Sequence, residues 1–459
     1  MTAPEPVPTG TVPRPAVAAA PPWAFPLPTN DRHLDNGLRV AAYDVPGQYV
    51  ISVSLVVPLL LSDEPRDIEG VASLMSHLLD EGTERHDSES FAALLERHGI
   101  ALSAGVNDGA LMVDVDVPVR HLETALELLA DALAIPAFPE DEVRRLRSSR
   151  LAEIEQERAS APHRAARELI ATLWAPYERA SRPTAGAAST VAQIARAHVV
   201  GLHAERVGPV GASLVVAGSL SGVDLFRMLE RTLGRWQASG HIQPSPPIAP
   251  DLAVDAARVV LVDRPGSVQS ELAIGWRGPD RRVASGWAPY PVIGFLIGGS
   301  PGARVDAILR EEKGYTYGIR TGIRPRRAGG LFLTSGSVRA DATAESLEIL
   351  ARILDPGTVS FSEDELRSGV DFIAGIAPGR FATAGAIGDE AASLLMDGLP
   401  LDFTTRTRDA TMALTTGELD AAYSALAPPH WCVVVVGDAS LYADRVRGLG
   451  LGEVSVVAN

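Results

Sequence analysis

The segment at residues 70–83, GVASLMSHLLDEGT, contains one histidine, His77, in a helical setting. Residues four apart on a helix share a face, so a metal ion at His77 needs a second ligand at position 73. That position is Ser73, and metal sites prefer imidazole, thiolate and carboxylate ligands. Ser76 stands where a general base would take a proton from metal-bound water, which a hydroxyl cannot do near neutral pH. As a nucleophile, Ser76 would need an oriented base, and a neighbour such as His77 points away on a helix. The residues therefore predict no metal site here, and His77 is expected to be structural or at the surface.

The bulk composition is that of a soluble globular protein. The chain has 459 residues, of which 46% are hydrophobic and 21% are charged, and its net charge is −16. A chain of this length favours roughly two to four domains. The acidic balance repels nucleic acid and anionic membranes over most of the surface, so we expect neither as a partner.

Three features bear on the compartment. Residues 1–22 are rich in Pro and Ala and lack a basic region followed by an apolar one, so we expect a flexible arm and no secretion signal. The longest apolar stretch, residues 50–61, is too short for a membrane span and contains Pro58. The one cysteine, Cys432, lies in an apolar run and is expected to be a small buried residue. These features predict a cytoplasmic protein.

The sequence contains the same pattern of elements twice. The paired segments are 91–106 with 305–320, 109–133 with 329–354, and 212–221 with 432–440. In the first pair, apolar residues at helical spacing stop at Gly99 or Gly314, which predicts a helix ending in a glycine cap and then a strand. The second pair predicts a strand of a hairpin followed by a long helix. The third pair predicts a short closing strand.

This repetition predicts an α+β fold of two similar domains, each a mainly antiparallel sheet packed with helices. The Pro- and Ser-rich segment between the halves is typical of an extended linker. The predicted boundaries are a flexible Pro/Ala-rich arm at 1–22, a first domain at 23–237, a linker at 238–255 and a second domain at 256–459.

Residues 70–83 resemble the zinc-binding segment of the pitrilysin/insulinase family of metallopeptidases, whose inverted motif is His-x-x-Glu-His. The glycine-led frame of that segment is matched by Gly70, Gly82 and Thr83. The resemblance implies that Ser73 and Ser76 replace the first histidine and the catalytic glutamate. It also implies that His77 keeps the second histidine position and that Glu153, 76 residues later, occupies the third ligand position. Without a metal, Glu153 is expected to be a solvated carboxylate on a charged helix.

Residues 297–319, IGGSPGARVDAILREEKGYTYGI, resemble a second signature of the same family. This resemblance implies that Arg310 and Tyr317 reach the substrate near a zinc ion. A tyrosine hydroxyl can donate to the oxyanion formed when water attacks a peptide carbonyl, and an arginine can hold a carbonyl or carboxylate group. The residues alone leave two alternatives open: Arg310 as a surface helix residue, and Tyr317 as a packed strand residue with Tyr315 as a competing candidate.

The resemblance covers about residues 30–450 and implies half of a clamshell. The matching positions in the first half are Leu95 and Leu102, so one half alone keeps the polar pair. We therefore expect the non-zinc subunit of a heterodimeric zinc endopeptidase that acts on unfolded peptides. Its partner would be a homologous zinc-bearing subunit, with zinc in the partner and no cofactor in this chain. The peptide would add as a strand at a sheet edge, and the basic loop 322–330 would line the chamber or be a solvated tip. The alternatives are a purely structural scaffold member of the family and an independent hydrolase with an unrelated site.

Overall fold

The computed structural model describes residues 22–237, 246–253, 257–426 and 431–459. The predicted arm therefore lies outside the described residues except for Pro22, and the predicted linker is described chiefly at 246–253. The described chain forms two six-stranded sheets, one from each half of the sequence, and apolar clusters cover both faces of each sheet. This is the α+β architecture of two similar units that the sequence predicts.

The first half contributes one sheet and the helices around it. Its strands are β1 Asn30–His33, β2 Arg39–Asp44, β3 Val50–Pro58, β4 Ala101–Val106, β5 Ala110–Pro118 and β6 Ser213–Gly218. Its helices are α1 Val71–Ser76, α2 Ser88–His98, α3 Leu122–Ala134, α4 Glu140–Ala159, α5 Ala161–Leu173, α6 Ala188–Val191, α7 Arg196–Arg206 and α8 Leu225–Arg231.

The second half contributes the other sheet and the helices around it. Its strands are β7 Arg258–Asp263, β8 Gln269–Gly278, β9 Arg320–Pro325, β10 Gly330–Arg339, β11 Cys432–Gly437 and β12 Glu453–Ala458. Its helices are α9 Pro289–Gly294, α10 Arg304–Asp306, α11 Thr343–Ile353, α12 Glu363–Arg380, α13 Ala384–Met396, α14 Phe403–Met412, α15 Thr416–Ser424 and α16 Ala443–Gly448. Two wider π-helical turns, Phe295–Gly299 and Ala307–Glu312, extend α9 and α10.

The strand order is β1-β2-β6-β3-β5-β4 in the first sheet and β12-β7-β11-β8-β10-β9 in the second. Most neighbouring strands are antiparallel, but β2 runs parallel to β6, and β7 runs parallel to both β11 and β12. Both sheets are therefore mixed, although the predicted antiparallel pairing dominates. Among the described strands, β4 and β9 each pair on one side only, so they form equivalent edges of the two sheets.

The predicted alternation and caps are present. Four alternating residues of β5 are buried in the first core: Leu111, Val113, Val115 and Val117. Gly99 ends α2 with a φ of +63°, and Gly314 ends the Ala307–Glu312 segment with a φ of +64°. Both glycines adopt the left-handed conformation that a side chain disfavours. The strand after Gly314 begins only at Arg320, which places Tyr317 in a loop.

The two halves exchange one helix each. Helix α5 of the first half packs on the second sheet, where Leu169 lies in one apolar cluster with Val434 of β11. Helix α13 of the second half packs on the first sheet, where Leu394 lies in one cluster with Val56 of β3. A division at the linker therefore separates the two sheets but cuts through both of these clusters.

The tips of two equivalent hairpins also join the halves. Arg326 forms an ion pair of 2.8 Å with Asp108, and the Arg327 guanidinium donates to the carbonyl of Gly109 at 3.1 Å. The basic loop at 322–330 is therefore a contact between the two halves, and its tip is half-buried. The expectation of a solvated tip is wrong, because Asp108 pairs with Arg326 and the carbonyl of Gly109 accepts from Arg327.

The described part of the linker is held against the end of α5. The Ala175 amide donates to the carbonyl of Asp251, and the Ala253 amide donates to the carbonyl of Leu173, both at 2.9 Å. These bonds form a short antiparallel bridge with the chain that leaves α5. This part of the linker is therefore packed, which its Pro and Ser content does not predict.

The helical segment Pro289–Glu312 is the described segment whose length and composition would allow a membrane span. The 18 most apolar consecutive residues of this segment are 56% buried inside the protein. Val292, Ile293 and Leu309 belong to the main apolar core of the second half. Helices buried in the core of a soluble protein have the same length and composition. This one segment is therefore only weak evidence for a membrane-spanning helix.

Candidate functional site

Helix α1 carries the positions that would hold a metal ion in the resemblance. The Ser76 side chain is buried, and its hydroxyl donates to the carbonyl of Ser73 at 2.8 Å. His77 follows the last turn of α1 and is exposed to solvent. Within the described chain, neither serine hydroxyl is hydrogen-bonded to His77. The Ser76 hydroxyl is thus used within its own helix and is hydrogen-bonded to no base among the residues described, which argues against nucleophilic chemistry at this position.

A buried ion pair holds the start of α1. One oxygen of Glu64 accepts the backbone amides of Gly70 at 3.1 Å and Ala72 at 2.9 Å. The other oxygen accepts the Arg179 guanidinium through two bonds of 3.1 and 2.9 Å. Burial raises the pKa of Glu64, while the Ala72 amide and the nearby Arg179 oppose that rise. Glu64 therefore fixes the first turn of α1 from a desolvated position, and nothing in the sequence pattern predicts this role.

Glu153, at the third ligand position, lies on α4 and points to solvent. Its side chain is 59% exposed and accepts the Arg150 guanidinium at 3.1 Å. Arg150 also binds both oxygens of Glu157, at 2.6 and 3.1 Å. The guanidinium of Arg150 therefore supplies the positive charge beside these two carboxylates.

Zinc is the metal that the family resemblance implies, and the donor set of this chain does not fit it. Zinc sites use several His, Cys or carboxylate ligands around one ion. In the part of the chain that the structure describes, no three such side chains are grouped closely enough to hold a metal ion. Ser73 and Ser76 supply hydroxyls at two of the required positions, and Glu153 is paired with Arg150. We therefore assign no zinc-dependent step to this chain's own residues.

Arg310 and Tyr317 lie at the surface on either side of the Gly314 cap. Tyr317 is 93% exposed, the largest exposure of any described large apolar or aromatic residue. Its hydroxyl has no hydrogen-bond partner within the described residues. The Arg310 side chain is 41% exposed, and its ion pair is with the adjacent Glu311 at 3.4 Å. Both polar groups are therefore available to a molecule outside the chain.

Two anchors, one buried and one half-buried, hold the loop that carries Tyr317. Asp306, whose side chain is fully buried, accepts the backbone amide of Ile319 at 3.0 Å and the Arg320 guanidinium at 2.9 Å. The Thr316 hydroxyl donates to the carbonyl of Ser337 on β10 at 2.6 Å. The backbone is thus bonded on both sides of Tyr317, so its ring is exposed on a fixed loop. The sequence signal that could have identified Asp306 is a single aspartate among the apolar residues of VDAIL, at positions 305–309. A charge in such a run is expected to be buried, and a buried charge requires a partner.

The competing residue, Tyr315, has an internal partner. Its hydroxyl donates to Glu345 on α11 at 2.9 Å, and Lys313 pairs with the same carboxylate at 3.3 Å. The hydrogen bond from Tyr315 and the nearby Lys313 ammonium lower the pKa of Glu345, and the bond to Glu345 raises the pKa of Tyr315. Tyr315 is therefore engaged in fixing the loop, and Tyr317 is the tyrosine whose hydroxyl is available.

The structure brings the sequence-predicted residues together in two separate sets. Ser73, Ser76 and His77 lie on or next to α1, which contacts the helix of Glu153. The Arg310 and Tyr317 set lies on the second half, and no described hydrogen bond or ion pair joins it to α1. At the equivalent places in the first half, Leu95 and Leu102 pack against the core. The polar pair is therefore specific to the second half.

Models of one peptidase family match both halves of the chain. A model described as "Insulinase (Peptidase family M16)" matches residues 39–187, and one described as "Peptidase M16 inactive domain" matches residues 193–370. These two ranges together span more than two thirds of the sequence, so the match includes both candidate segments and most strands of both sheets, but not β1, β11 and β12.

Individual proteins show the same likeness. A Mycobacterium tuberculosis protein named an uncharacterized zinc protease is 25% identical over 369 residues, which is 80% of this chain and 81% of that protein. The mitochondrial-processing peptidase subunit alpha of Bos taurus is 31% identical over 123 residues, which is 27% of this chain and 23% of that protein. A crystal structure described as a peptidase M16 inactive domain from Pseudomonas fluorescens is 21% identical with a TM-score of 0.79, covering 89% of this chain and 98% of that one. The structural likeness shows the fold, and the sequence matches agree with the resemblance seen in the motifs: this chain belongs to the insulinase family of peptidases, family M16.

Proposed function

We propose that this chain is the non-zinc subunit of a two-chain zinc endopeptidase that acts on unfolded peptides. It completes the peptide chamber and supplies Arg310 and Tyr317 to the partner's active site. The partner is a homologous chain with an intact His-x-x-Glu-His motif, and the pair works in the cytoplasm. The observation that carries this proposal is the 93% exposure of Tyr317 on a loop that the side chains of Asp306 and Thr316 hold in place.

The energetics of Tyr317 support a role outside the chain. A tyrosine kept for packing would bury its ring, which stabilises a fold by about 1.5–3 kcal/mol for a large apolar side chain. At 93% exposure, Tyr317 contributes almost none of that. The bonds of Asp306 and Thr316 nevertheless restrict the backbone around it. Preorganised donors of this kind stabilise a developing oxyanion because little reorganisation is required when the charge forms.

The donor set around α1 supports placing the zinc ion in the partner. When bound there, zinc would activate the attacking water and polarise the peptide carbonyl. The residues of this chain would act on the substrate instead. The Tyr317 hydroxyl would donate to the carbonyl oxygen as negative charge develops on it, and the Arg310 guanidinium would hold a second carbonyl or carboxylate group.

The edges of the sheets suit an extended peptide. Among the described strands, β4 and β9 each have one unpaired side, where a peptide could add through main-chain hydrogen bonds. Tyr317 lies three residues before the start of β9, so a strand added at that edge would pass close to it. This arrangement favours unfolded peptides over folded proteins as substrates.

The proposal is tested by substitution in the reconstituted pair. Tyr317→Phe removes one hydroxyl and keeps the ring, so we expect kcat to fall by about 10²–10³-fold, the usual loss for an oxyanion donor. Arg310→Ala should raise KM more than it lowers kcat, because it holds the substrate. Tyr177→Phe is the matched control, since Tyr177 is also exposed but bonds Asp251 within the chain at 2.9 Å. Unchanged cleavage by both site variants in an intact heterodimer would support the purely structural scaffold role instead.

A further inference from the structure

A second candidate binding site lies on the second half, between the loop that follows β8 and helices α14 and α15. A cavity of about 650 Å³ opens there, and a cavity of about 150 Å³ adjoins it toward α12. Both cavities are lined by Arg281, Trp287, Phe403 and Thr407. The two cavities therefore adjoin at these four side chains, and we call them together the α14 groove.

The α14 groove is lined by more basic than acidic side chains, in contrast to the chain as a whole. Its walls contain five arginines and two glutamates, namely Arg281, Arg282, Arg380, Arg406, Arg408, Glu390 and Glu418. Over the whole chain, the 57 acidic residues outnumber the 41 basic ones. Both wall glutamates are bonded within the fold, since Glu390 accepts the Thr404 hydroxyl and Glu418 caps α15. The lining therefore contains more arginines than glutamates, and three of these arginines have aspartates beside them, namely Asp397, Asp402 and Asp409.

Two of these arginines form no side-chain ion pair among the residues that the structure describes, although the Arg282 charge also acts on Asp397. Arg282 is exposed and donates to the backbone carbonyl of Arg327, and Arg380 is exposed and lies over the Phe381 ring at 5.0 Å. Arg281 and Arg406, by contrast, have Asp397 and Asp402 as neighbours at 3.7 and 3.1 Å. Arg282 lines the larger cavity and Arg380 the smaller, so available guanidinium groups lie in both parts of the groove.

The wall between these charges is apolar and aromatic. Trp287 and Phe403 are half-buried side chains shared by both cavities, and Leu399 is 8% exposed beneath the larger one. On α12, Ile376 lines the smaller cavity and is 40% exposed. A guanidinium fork binds a carboxylate with directional bonds, and an aromatic wall binds an apolar side chain by burial.

We propose that the α14 groove binds a peptide segment in which acidic residues flank an apolar or aromatic core. The acidic residues would pair with Arg282 and Arg380, and the core would lie on Trp287 and Phe403. This site needs neither zinc nor a second subunit. It therefore goes beyond the proposed function, and it can be tested on the single chain without any cleavage assay.

Fluorescence anisotropy on the full chain tests the proposal, with a labelled decapeptide that has Asp and Glu at both ends and Leu and Phe between them. We expect saturable binding that weakens about tenfold or more with Arg282→Glu and again with Arg380→Glu, because each change turns an attraction into a repulsion. Arg352→Glu, at a side chain that is 71% exposed on α11, should leave the affinity unchanged. Trp287→Ala should weaken binding as well, and circular dichroism checks the fold of every variant.

Several outcomes would overturn this assignment. One is equal affinity for a peptide with Lys and Arg in place of Asp and Glu. Another is equal affinity for a single-stranded oligonucleotide of the same charge, since the apolar core would then be irrelevant. If light scattering shows a homodimer that Arg282→Glu dissociates, the occupant is a second copy of this chain and the peptide proposal is wrong. An equal loss of affinity in Arg352→Glu would reduce the effect to general electrostatics.

Discussion

Substituting Arg179 by alanine should destabilise the chain strongly, because it leaves the Glu64 carboxylate buried without its cation. The Arg179 side chain is 8% exposed and that of Glu64 is 0% exposed. The change removes two bonds to Glu64 at 3.1 and 2.9 Å, and two more to the carbonyls of Arg182 and Thr184 at 3.1 and 3.0 Å. Removing one partner of a buried ion pair costs about 3–5 kcal/mol. That loss is a large part of the total stability of about 5–15 kcal/mol that is usual for a domain.

The expected loss depends on pH. Burial already raises the pKa of Glu64, and the loss of Arg179 should raise it further. A carboxyl group whose pKa is higher in the folded state contributes most stability at low pH, and this contribution is lost as pH rises through the folded-state pKa. The deficit of Arg179→Ala relative to the parent chain should therefore be smaller at pH 5 than at pH 8.

Urea unfolding followed by circular dichroism at both pH values measures this effect. Arg158→Ala is the control, because Arg158 is 64% exposed in a surface pair with Glu155 and its loss should cost about 0–1 kcal/mol. Adding Glu64→Gln to Arg179→Ala should recover part of the stability, since an amide oxygen can still accept the Gly70 and Ala72 amides without a charge. A deficit below about 1 kcal/mol at pH 8, or one that is equal at both pH values, would refute the reasoning.

Three other expectations follow from the geometry. Ser73→His should give weak zinc binding, and Arg150→Gln should strengthen it by up to about fivefold in that background, because an exposed ion pair that competes for the third-ligand carboxylate is worth about 0–1 kcal/mol; calorimetry measures both, and no gain from the second change would contradict the role of Arg150. Leu394→Ala should cost about 2–5 kcal/mol in urea unfolding, since Leu394 is fully buried where α13 meets the first sheet; a cost near zero would show that this contact is dispensable. Burial raises the pKa of Cys432 to about 11, so iodoacetamide should alkylate it at least about tenfold faster in urea than in the native chain at pH 8; equal rates would show that the thiol is exposed.

The sequence predicts which segments form helices and strands better than it predicts which of these segments pair or pack together. Alternation along β5 and the glycines at positions 99 and 314 are local signals, and both are present in the structure. The parallel pairing of β7 with β11 is not a local property, because it depends on which distant strand comes to lie alongside. For the same reason, the apolar positions of α5 indicate that a face is buried but do not indicate that it lies on the sheet of the other half.

For the candidate site too, the sequence predicts the residues but not the contacts between them. Arg310 and Tyr317 are identified by resemblance, but the residues alone do not show whether Tyr315 or Tyr317 has the available hydroxyl. The difference between them depends on Glu345, thirty positions beyond Tyr315, which accepts one hydroxyl and leaves the other available. The sequence likewise does not predict the partner of Glu153, because its helix contains several arginines. In the structure, that partner is Arg150.

The exchange of α5 and α13 makes each half of the polypeptide incomplete without the other. A fragment that ends at the linker would retain α5 with no sheet to cover and would expose the apolar face of β3 and β6 that α13 occupies. Exposed apolar faces of this kind favour aggregation. The two fragments produced separately should therefore be insoluble, whereas the same fragments produced together should recombine, so that one chain behaves as an intramolecular pair of interlocked protomers.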